Sequence, residues 1–532
     1  MRWEEYDVVV VGSGAAGLTA ALTAAHHGLT AVVLEKVDRF GGSTARSGGG
    51  VWIPGNSVLP FADPIEDALA YLAHLAGEGP RQRAFLEHGP KMLDFVMAHT
   101  PLRFQWVPGY PDYYPSAPGG LAQGRTIDPS PLDGRVLGPE LSRLAKPYIS
   151  TRGLTITAAD YRWMSLGTRH PRSLLTTARV VARLAVSRLL RRRMLSMGQA
   201  LAAGLRAGLL AADVPVLLNT PLSSLDMDEG GSGRIVGVNG RFRARRGVVL
   251  ASGGFEHNEA MRHRYQRAPI GTQWTVGASS NTGEGIALGS SLGADLDLMD
   301  EAWWGPSIPL SGGPYFCLAE RSLPGSLIVD GNGSRFVNES APYIDAVKAM
   351  YEHDAIPAWL VFDQRYRDRY LFAGLGPRQP LPRRWYDAGA VTRGASLGEL
   401  GLPLLAKTVA RFNEFARCGR DEEFGRGDSV YDRYYGDPRN RPNPCLGPLL
   451  KPPFYAVRLV PGDLGTKGGL VTDERARVLR PDGTWIEGLY AAGNASAAVM
   501  ARSYAGAGAT IGPAMTFGYL AALDLAADSG EV

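Results

Sequence analysis

Cysteine is scarce in this chain, with only Cys317, Cys418 and Cys445 among 532 residues. They are far apart, odd in number and contain no Cys-x-x-Cys pair, which argues against a disulfide framework and against a thiolate metal site; no metal is expected. Such usage fits a reducing, cytoplasmic compartment. The start, Met1-Arg2-Trp3-Glu4-Glu5, lacks the basic stretch and apolar core of a secretory signal. Net charge is small as well: 56 Lys+Arg against 52 Asp+Glu give +4, too weak to suggest nucleic-acid binding. There are no tandem repeats and no long low-complexity tract. One uncharged run, Val8 to Leu34, has the length to span a bilayer. Its glycines, its two histidines and its change of pattern midway read instead as strand, turn and buried helix.

Glycine, by contrast, is plentiful. The chain holds 67 glycines and 37 prolines, so much of its backbone lies in turns or close to a ligand, which hints at a large cofactor. Hydrophobic residues at 45% and charged residues at 20% are ordinary for a folded enzyme with a sizeable core.

Asp7-Val8-Val9-Val10-Val11 has the β-branched character of a central parallel strand. Gly12-Ser13-Gly14-Ala15-Ala16-Gly17 follows at once and opens an alanine-rich helix. Thr30-Ala31-Val32-Val33-Leu34 reads as a second strand ending in Glu35-Lys36, with Glu35 placed 23 residues after Gly12. That context makes the glycine pattern a dinucleotide fingerprint. Gly12 permits the tight turn, Gly14 lets backbone approach the pyrophosphate, and Gly17 lets helix and strand pack closely. The helix N-terminus, at Ala15 and Ala16, faces the phosphates, and Glu35 accepts from the adenosine ribose. The next segment, Gly41 to Gly50, is a polar glycine-rich loop (Gly42, Ser43, Thr44, Ser47, Gly48, Gly49) suited to wrap a flavin. FAD is therefore expected over NAD. The loop holds no histidine, so the flavin is expected to be non-covalent.

Further along, residues 209–225 and 234–238 read as short strands with turns between. Gly247 to Phe255 reads as a buried strand with a glycine turn at Gly253 that rejoins the nucleotide-binding sheet, and Asn281-Thr282-Gly283-Glu284-Gly285 as a helix start near the flavin. From about 296 to 460 tryptophan, tyrosine and proline become more frequent. Thr466-Lys467-Gly468-Gly469-Leu470 and Gly488 to Asn494, with Gly493 and Asn494 at a strand-end turn, then resume the cofactor domain. The expected fold class is α/β: a Rossmann-like FAD-binding domain (1–295 and 461–532) with an inserted, smaller α+β substrate domain (296–460).

Together these pieces resemble the flavoprotein family of fumarate reductases and 3-ketosteroid dehydrogenases. The stretch Arg502-Ser503-Tyr504-Ala505-Gly506-Ala507-Gly508-Ala509-Thr510-Ile511-Gly512-Pro513-Ala514-Met515 looks specifically like the 3-ketosteroid Δ1-dehydrogenases. The resemblance implies that Tyr504 and the Gly508 amide hold a steroid C3 carbonyl, with Ala509 and Ile511 beside the flavin. It implies a tyrosine base, matched by Tyr343 in Arg335 to Tyr343, where fumarate reductases carry arginine. It implies a partner tyrosine, matched by Tyr113, with Tyr110 and Tyr114 as alternatives for that place and Tyr315 as a competitor for the base. The implied reaction is 1,2-dehydrogenation of a 3-ketosteroid. Dehydrogenation at C4–C5 and fumarate-reductase-like chemistry remain as alternatives, and the electron acceptor is open.

One local feature stands apart from all this. Between Tyr161 and Ala212 there is no Asp or Glu but ten arginines, so a window of +10 is set against −6 elsewhere, the difference from the net +4. Within it Leu174, Ala178, Val181, Ala182, Ala185 and Leu189 share one helical face, Arg172, Arg179 and Arg183 lie opposite, and Arg188 and Arg192 sit nearer the apolar side. Two readings stand: a solvated basic helix hairpin, or a peripheral membrane contact through 169–195.

Overall fold

The computed structural model describes residues 3–527 apart from 152, 229, 231 and 232. Its first sheet is built around Glu4–Val11, whose residues Val8 to Val11 are all buried, as expected of a strand covered on both faces. The strand pairs in parallel with Ala31–Leu34 on one side and Phe242–Leu250 on the other. Val216–Leu217 and Trp485–Ala491 extend the sheet in parallel, and Arg477–Leu479 closes one edge antiparallel. The uncharged run near the N-terminus is thus strand, helix Ala15–His26 and strand. That helix packs against the C-terminal helix Ile511–Ala527 on one face of the sheet. Among the described residues no helix is long and apolar enough to cross a membrane.

The second sheet is antiparallel: Tyr315–Phe316, Ala302–Ile308, Phe454–Thr466, Ala358–Asp363 and Ser326–Val329 in order, with Val391–Gly394 also on Phe454–Thr466. Helices Tyr343–Glu352 and Leu405–Cys418 accompany it. The strand Phe454–Thr466 runs straight through the boundary expected at 460/461, so the chain leaves this sheet only at Thr466. The last residues of the segment 461–532, from 528 on, lie outside the described residues.

The expected strands within 209–225 differ in part. Residues up to Ala211 complete the helix Met197–Ala211, because Leu201, Leu205 and Leu209 repeat at four-residue spacing on its buried side. Only Val216–Leu217 and Leu225–Met227 are strands there. Ile235–Val238 is a strand, and Glu284–Ser291 a helix.

Candidate active site

The fingerprint glycines sit where strand turns into helix. Gly12 has φ +106°, and a Cβ there would lie 2.3 Å from the Ala251 carbonyl oxygen; a Cβ on Gly17 would lie 2.0 Å from the Gly12 oxygen. Both positions exclude any side chain. Around Gly14, Gly42 and Gly48 the situation is reversed. A Cβ on Gly42 or Gly48 would meet no atom within 4 Å, and one on Gly14 only the Thr44 hydroxyl at 3.6 Å. Glycine backbone there lines open space, a cradle that side chains would fill. Glu35 is buried at the strand end, where Ser13 N–H and the Ser13 hydroxyl donate to Oε2 and Val37 N–H donates to Oε1.

The polar loop is pinned on both sides. Thr44 Oγ1 accepts from Ala15 N–H at 2.9 Å, so the loop meets the helix start directly. Ser43 Oγ accepts from Ala278 N–H and from the Asn281 amide. Ser47 Oγ accepts from Gly49 N–H, while Gly49, at φ +73°, lies against the Met197–Gly198 backbone. Lys36 reaches Thr282 and Glu284, which ties the second strand to the 281–285 segment. Gly253, at φ +80°, abuts the Asn281 side chain. Gly493 and Asn494 end the strand Trp485–Ala491, and Asn494 Oδ1 accepts from the Trp303 indole at 3.1 Å. Ala509 is buried just before Ile511 starts the C-terminal helix. A Glu35 carboxylate at one end, an exposed-backbone cradle in the middle and a glycine turn at Gly493 fit an extended dinucleotide.

A second constellation is aromatic. Tyr113, Tyr343 and Tyr504 come from three distant parts of the chain, and their ring centroids lie 5.2–5.5 Å apart. All three are buried. The Tyr113 hydroxyl donates to the Tyr343 oxygen at 2.8 Å. Tyr504 shares a hydrogen bond of 3.0 Å with Thr510. Phe316, Tyr431 and Trp303 close the aromatic wall at 5.1, 4.9 and 4.8 Å from Tyr343, Tyr113 and Tyr504.

Each tyrosine is held by the backbone that carries it. Tyr343 opens the helix Tyr343–Glu352 after Pro342, a residue suited to fix the chain direction at a helix start. The loop before it is anchored by buried arginines: Arg321 donates to the Glu339 and Ala341 carbonyls at 2.6 Å, and Arg335 pairs with Glu339 and Asp421 at 2.8 Å. The 505–508 segment is fastened by its carbonyls. Tyr71 donates to Ala505 at 2.7 Å, as does Tyr113 N–H at 3.0 Å, and Thr126 donates to Ala507 at 2.9 Å. Gly508 has φ +97°, and a Cβ there would lie 2.4 Å from the Gly50 carbonyl carbon, so the substrate motif touches the flavin-loop glycines.

The alternative tyrosines are engaged elsewhere. Tyr110 stacks on Tyr434 at 4.4 Å, Tyr114 donates to Asp345 at 2.9 Å, and Tyr315 donates to Glu320 at 2.6 Å. Burial pushes the Tyr343 phenol well above its usual range, with Tyr504 and Tyr110 adding to the rise and the Tyr113 hydrogen bond opposing it. Burial likewise raises Tyr504, while Thr510, Tyr343 and Gly508 oppose it. Sequence reasoning left out Trp303, Tyr431, Thr510 and Lys467. The last had a visible signal, a lone cation inside the apolar, glycine-rich stretch Leu464 to Leu470.

Comparison with known proteins bears on the family of the chain. A family model described as FAD binding domain matches residues 7–511. The 3-oxosteroid 1-dehydrogenase of Mycobacterium tuberculosis is 53% identical over 100% of this chain and 100% of its own length. Among solved structures, 3-ketosteroid Δ1-dehydrogenase from Sterolibacterium denitrificans, in complex with 1,4-androstadiene-3,17-dione, superposes with a TM-score of 0.94 at 41% identity, covering 98% of this chain and 100% of that one. A 3-ketosteroid Δ4-(5α)-dehydrogenase from Rhodococcus jostii shares the fold at a TM-score of 0.67 but is 21% identical, covering 99% of this chain and 98% of that one. The chain binds FAD and belongs to the family of FAD-binding flavoproteins that contains the 3-oxosteroid 1-dehydrogenases.

Proposed function

We propose that this protein is a 3-oxosteroid 1-dehydrogenase that introduces the C1–C2 double bond into the A ring of a 3-ketosteroid, with a catalytic unit of Tyr343, Tyr113, Tyr504 and Gly508. The observation that carries the reading is the convergence of the hydrogen-bonded pair Tyr113 and Tyr343 with the Tyr504 ring in one buried cluster, four residues before Gly508. A ketone oxygen received by Tyr504 O–H and Gly508 N–H meets two preorganised donors. As the C2 proton leaves, negative charge grows on that oxygen, and donors already in place stabilise it without reorganisation. Tyr343, as its phenolate, takes the proton and becomes the neutral phenol. A phenol with an ordinary pKa near ~10 is a weak base at neutral pH. The Tyr113 hydroxyl works against the rise that burial imposes, because it donates to the Tyr343 oxygen and favours its charged form. Bound FAD supplies the acceptor for the C1 hydride. The protein orients the ring and excludes water. An arginine in place of Tyr343 would suit a dicarboxylate, whereas an all-aromatic wall suits a fused apolar ring system.

The test uses a saturated A ring. Mixed anaerobically with 5α-androstane-3,17-dione, the holoenzyme should lose its visible flavin absorbance and yield the 1-ene-3-ketone. A 4-ene product would support the C4–C5 alternative, and an unbleached flavin would remove the steroid reading.

We propose further that the helix Pro171–Leu189 contacts an anionic membrane surface on the cytoplasmic side. Its apolar face is left uncovered: Leu174, Leu175, Val181 and Val186 are all more than half exposed, and Leu189 is 82% exposed. Arg172, Arg179, Arg183 and Arg188 are exposed around it, so charge and apolar area together fit anionic lipid. Beside this helix, Arg162, Trp163, Leu166 and Tyr434 line a pocket of about 200 Å³, and Tyr434 stacks on Tyr110 at the edge of the tyrosine cluster. Co-sedimentation with phosphatidylglycerol vesicles at low salt, reduced at high salt, is the expected result. No binding at either salt would leave the helix a solvated one.

A further inference from the structure

Lys467 is fully buried, and none of the roles above uses it. It follows the strand Phe454–Thr466, where the chain leaves the second sheet. Its ammonium group donates to the carbonyls of Ala501 at 2.6 Å and Ser503 at 2.5 Å. It also lies 4.6 Å from the centre of the Trp303 ring, whose edge packs on Tyr504 at 4.8 Å. Two acidic neighbours act on it: Glu301, engaged by Arg502 at 2.9 Å and by Lys348 at 4.0 Å, and Asp345, engaged by Tyr114 at 2.9 Å. Carbonyl dipoles and a π face therefore balance this charge. Burial lowers its pKa to about 7, Lys348 and Arg502 add to the fall and Glu301 and Asp345 oppose it, so ammonium and amine forms coexist near neutral pH.

An apolar side chain of similar length would fill the same space without desolvating an ion, so the charge is kept at a cost to folding. What it grips explains why. Ala501 has φ +44°, a conformation that side-chain-bearing residues disfavour. Lys348 takes the intervening Arg502 carbonyl at 2.6 Å. Three successive carbonyls are thus held by two ammonium groups, immediately before Tyr504.

We propose that Lys467 is a positioning residue for the dehydrogenation: through the Ala501 and Ser503 carbonyls and the Trp303 ring it fixes the Tyr504 hydroxyl at the place of the ketone oxygen, and in its ammonium form it adds to the field that stabilises the enolate. The proposal rests on the 1,2-dehydrogenase reading. The test is single-turnover flavin reduction of the holoenzyme by saturating 4-androstene-3,17-dione, with steroid affinity measured separately by perturbation of the flavin spectrum. K467Q keeps donors for the two carbonyls but removes the charge. It should slow flavin reduction by roughly 10- to 100-fold, the scale of a misplaced catalytic group. Steroid affinity should change by less than ~3-fold, the pattern of an interaction felt in the transition state. K467R restores the charge and should recover most of the rate. The apolar K467M replaces K467Q if that variant does not retain FAD, with the same expectation. The proposal is overturned if the uncharged variant matches wild type, if K467R is no faster than it, or if the whole loss lies in steroid affinity. Wild-type enzyme that this steroid does not bleach shows instead that the underlying reading has failed.

Discussion

Removing the Tyr113 hydroxyl perturbs one hydrogen bond in the proposed catalytic unit, and the consequence can be worked through. In Tyr113→Phe the ring and its packing on Tyr343, Tyr431 and Tyr504 remain, but the 2.8 Å donor to the Tyr343 oxygen is lost. A hydrogen bond to a charged group contributes about 1.5–3 kcal/mol. At ~1.4 kcal/mol per tenfold, its full expression in the transition state slows flavin reduction by about 10- to 100-fold. Tyr343→Phe removes the proton acceptor itself and should cost about 100- to 10,000-fold, the usual range for a positioned base. Because Tyr113 acts through Tyr343, the double variant should be no slower than Tyr343→Phe alone. The sign of the pH effect follows. Without its donor the Tyr343 oxygen binds its proton more tightly, so in Tyr113→Phe the rise of rate with pH should move to higher pH. Anaerobic stopped-flow flavin reduction, with FAD content checked for each variant, measures all of this. A Tyr113→Phe enzyme slower than Tyr343→Phe, or a Tyr113 effect that persists undiminished in the Tyr343→Phe background, would refute the reasoning.

Other expectations follow from the same geometry. Gly12→Ala places a methyl group 2.3 Å from the Ala251 carbonyl oxygen at φ +106°, so the variant should purify without FAD and melt at a lower temperature, as flavin absorbance and thermal unfolding will report. Gly508→Ala meets the Gly50 carbonyl at 2.4 Å and tilts the residue 508 N–H that donates to the ketone; it should lose about 100-fold or more in turnover, the cost of one oxyanion-hole donor. Tyr315→Phe, whose hydroxyl serves Glu320, should keep flavin reduction within about 5-fold of wild type in the same assay; a loss approaching that of Tyr343→Phe would return the base to Tyr315.

The sequence was most readable where local rules are strict. The strand, glycine turn and helix at the N-terminus follow from consecutive β-branched residues and from glycines that no side chain can replace. The helix Met197–Ala211 was less readable at its end, because its leucines continue into a stretch with strand-like character. The boundary near 460 was hidden for a related reason: Phe454–Thr466 is one long strand with proline and glycine inside it. Within the site, motif residues could be named, but which of Tyr110, Tyr113 and Tyr114 meets Tyr343 depends on how the loop turns, and three neighbouring tyrosines look alike in sequence. Lys467 stands out in sequence as a lone cation in an apolar, glycine-rich stretch, but its partners are backbone carbonyls and a ring, which leave no pattern in the sequence.

The central claim is removal of hydrogen from C1 and C2, and one measurement addresses it directly: anaerobic single turnover of the holoenzyme with 4-androstene-3,17-dione, unlabelled and deuterated at C1, with the product identified by mass and by its olefinic proton signals. Stoichiometric flavin bleaching that slows on C1 deuteration, with 1,4-androstadiene-3,17-dione as product, is the result predicted. An unbleached flavin, or a product unsaturated anywhere other than C1–C2, would contradict the account.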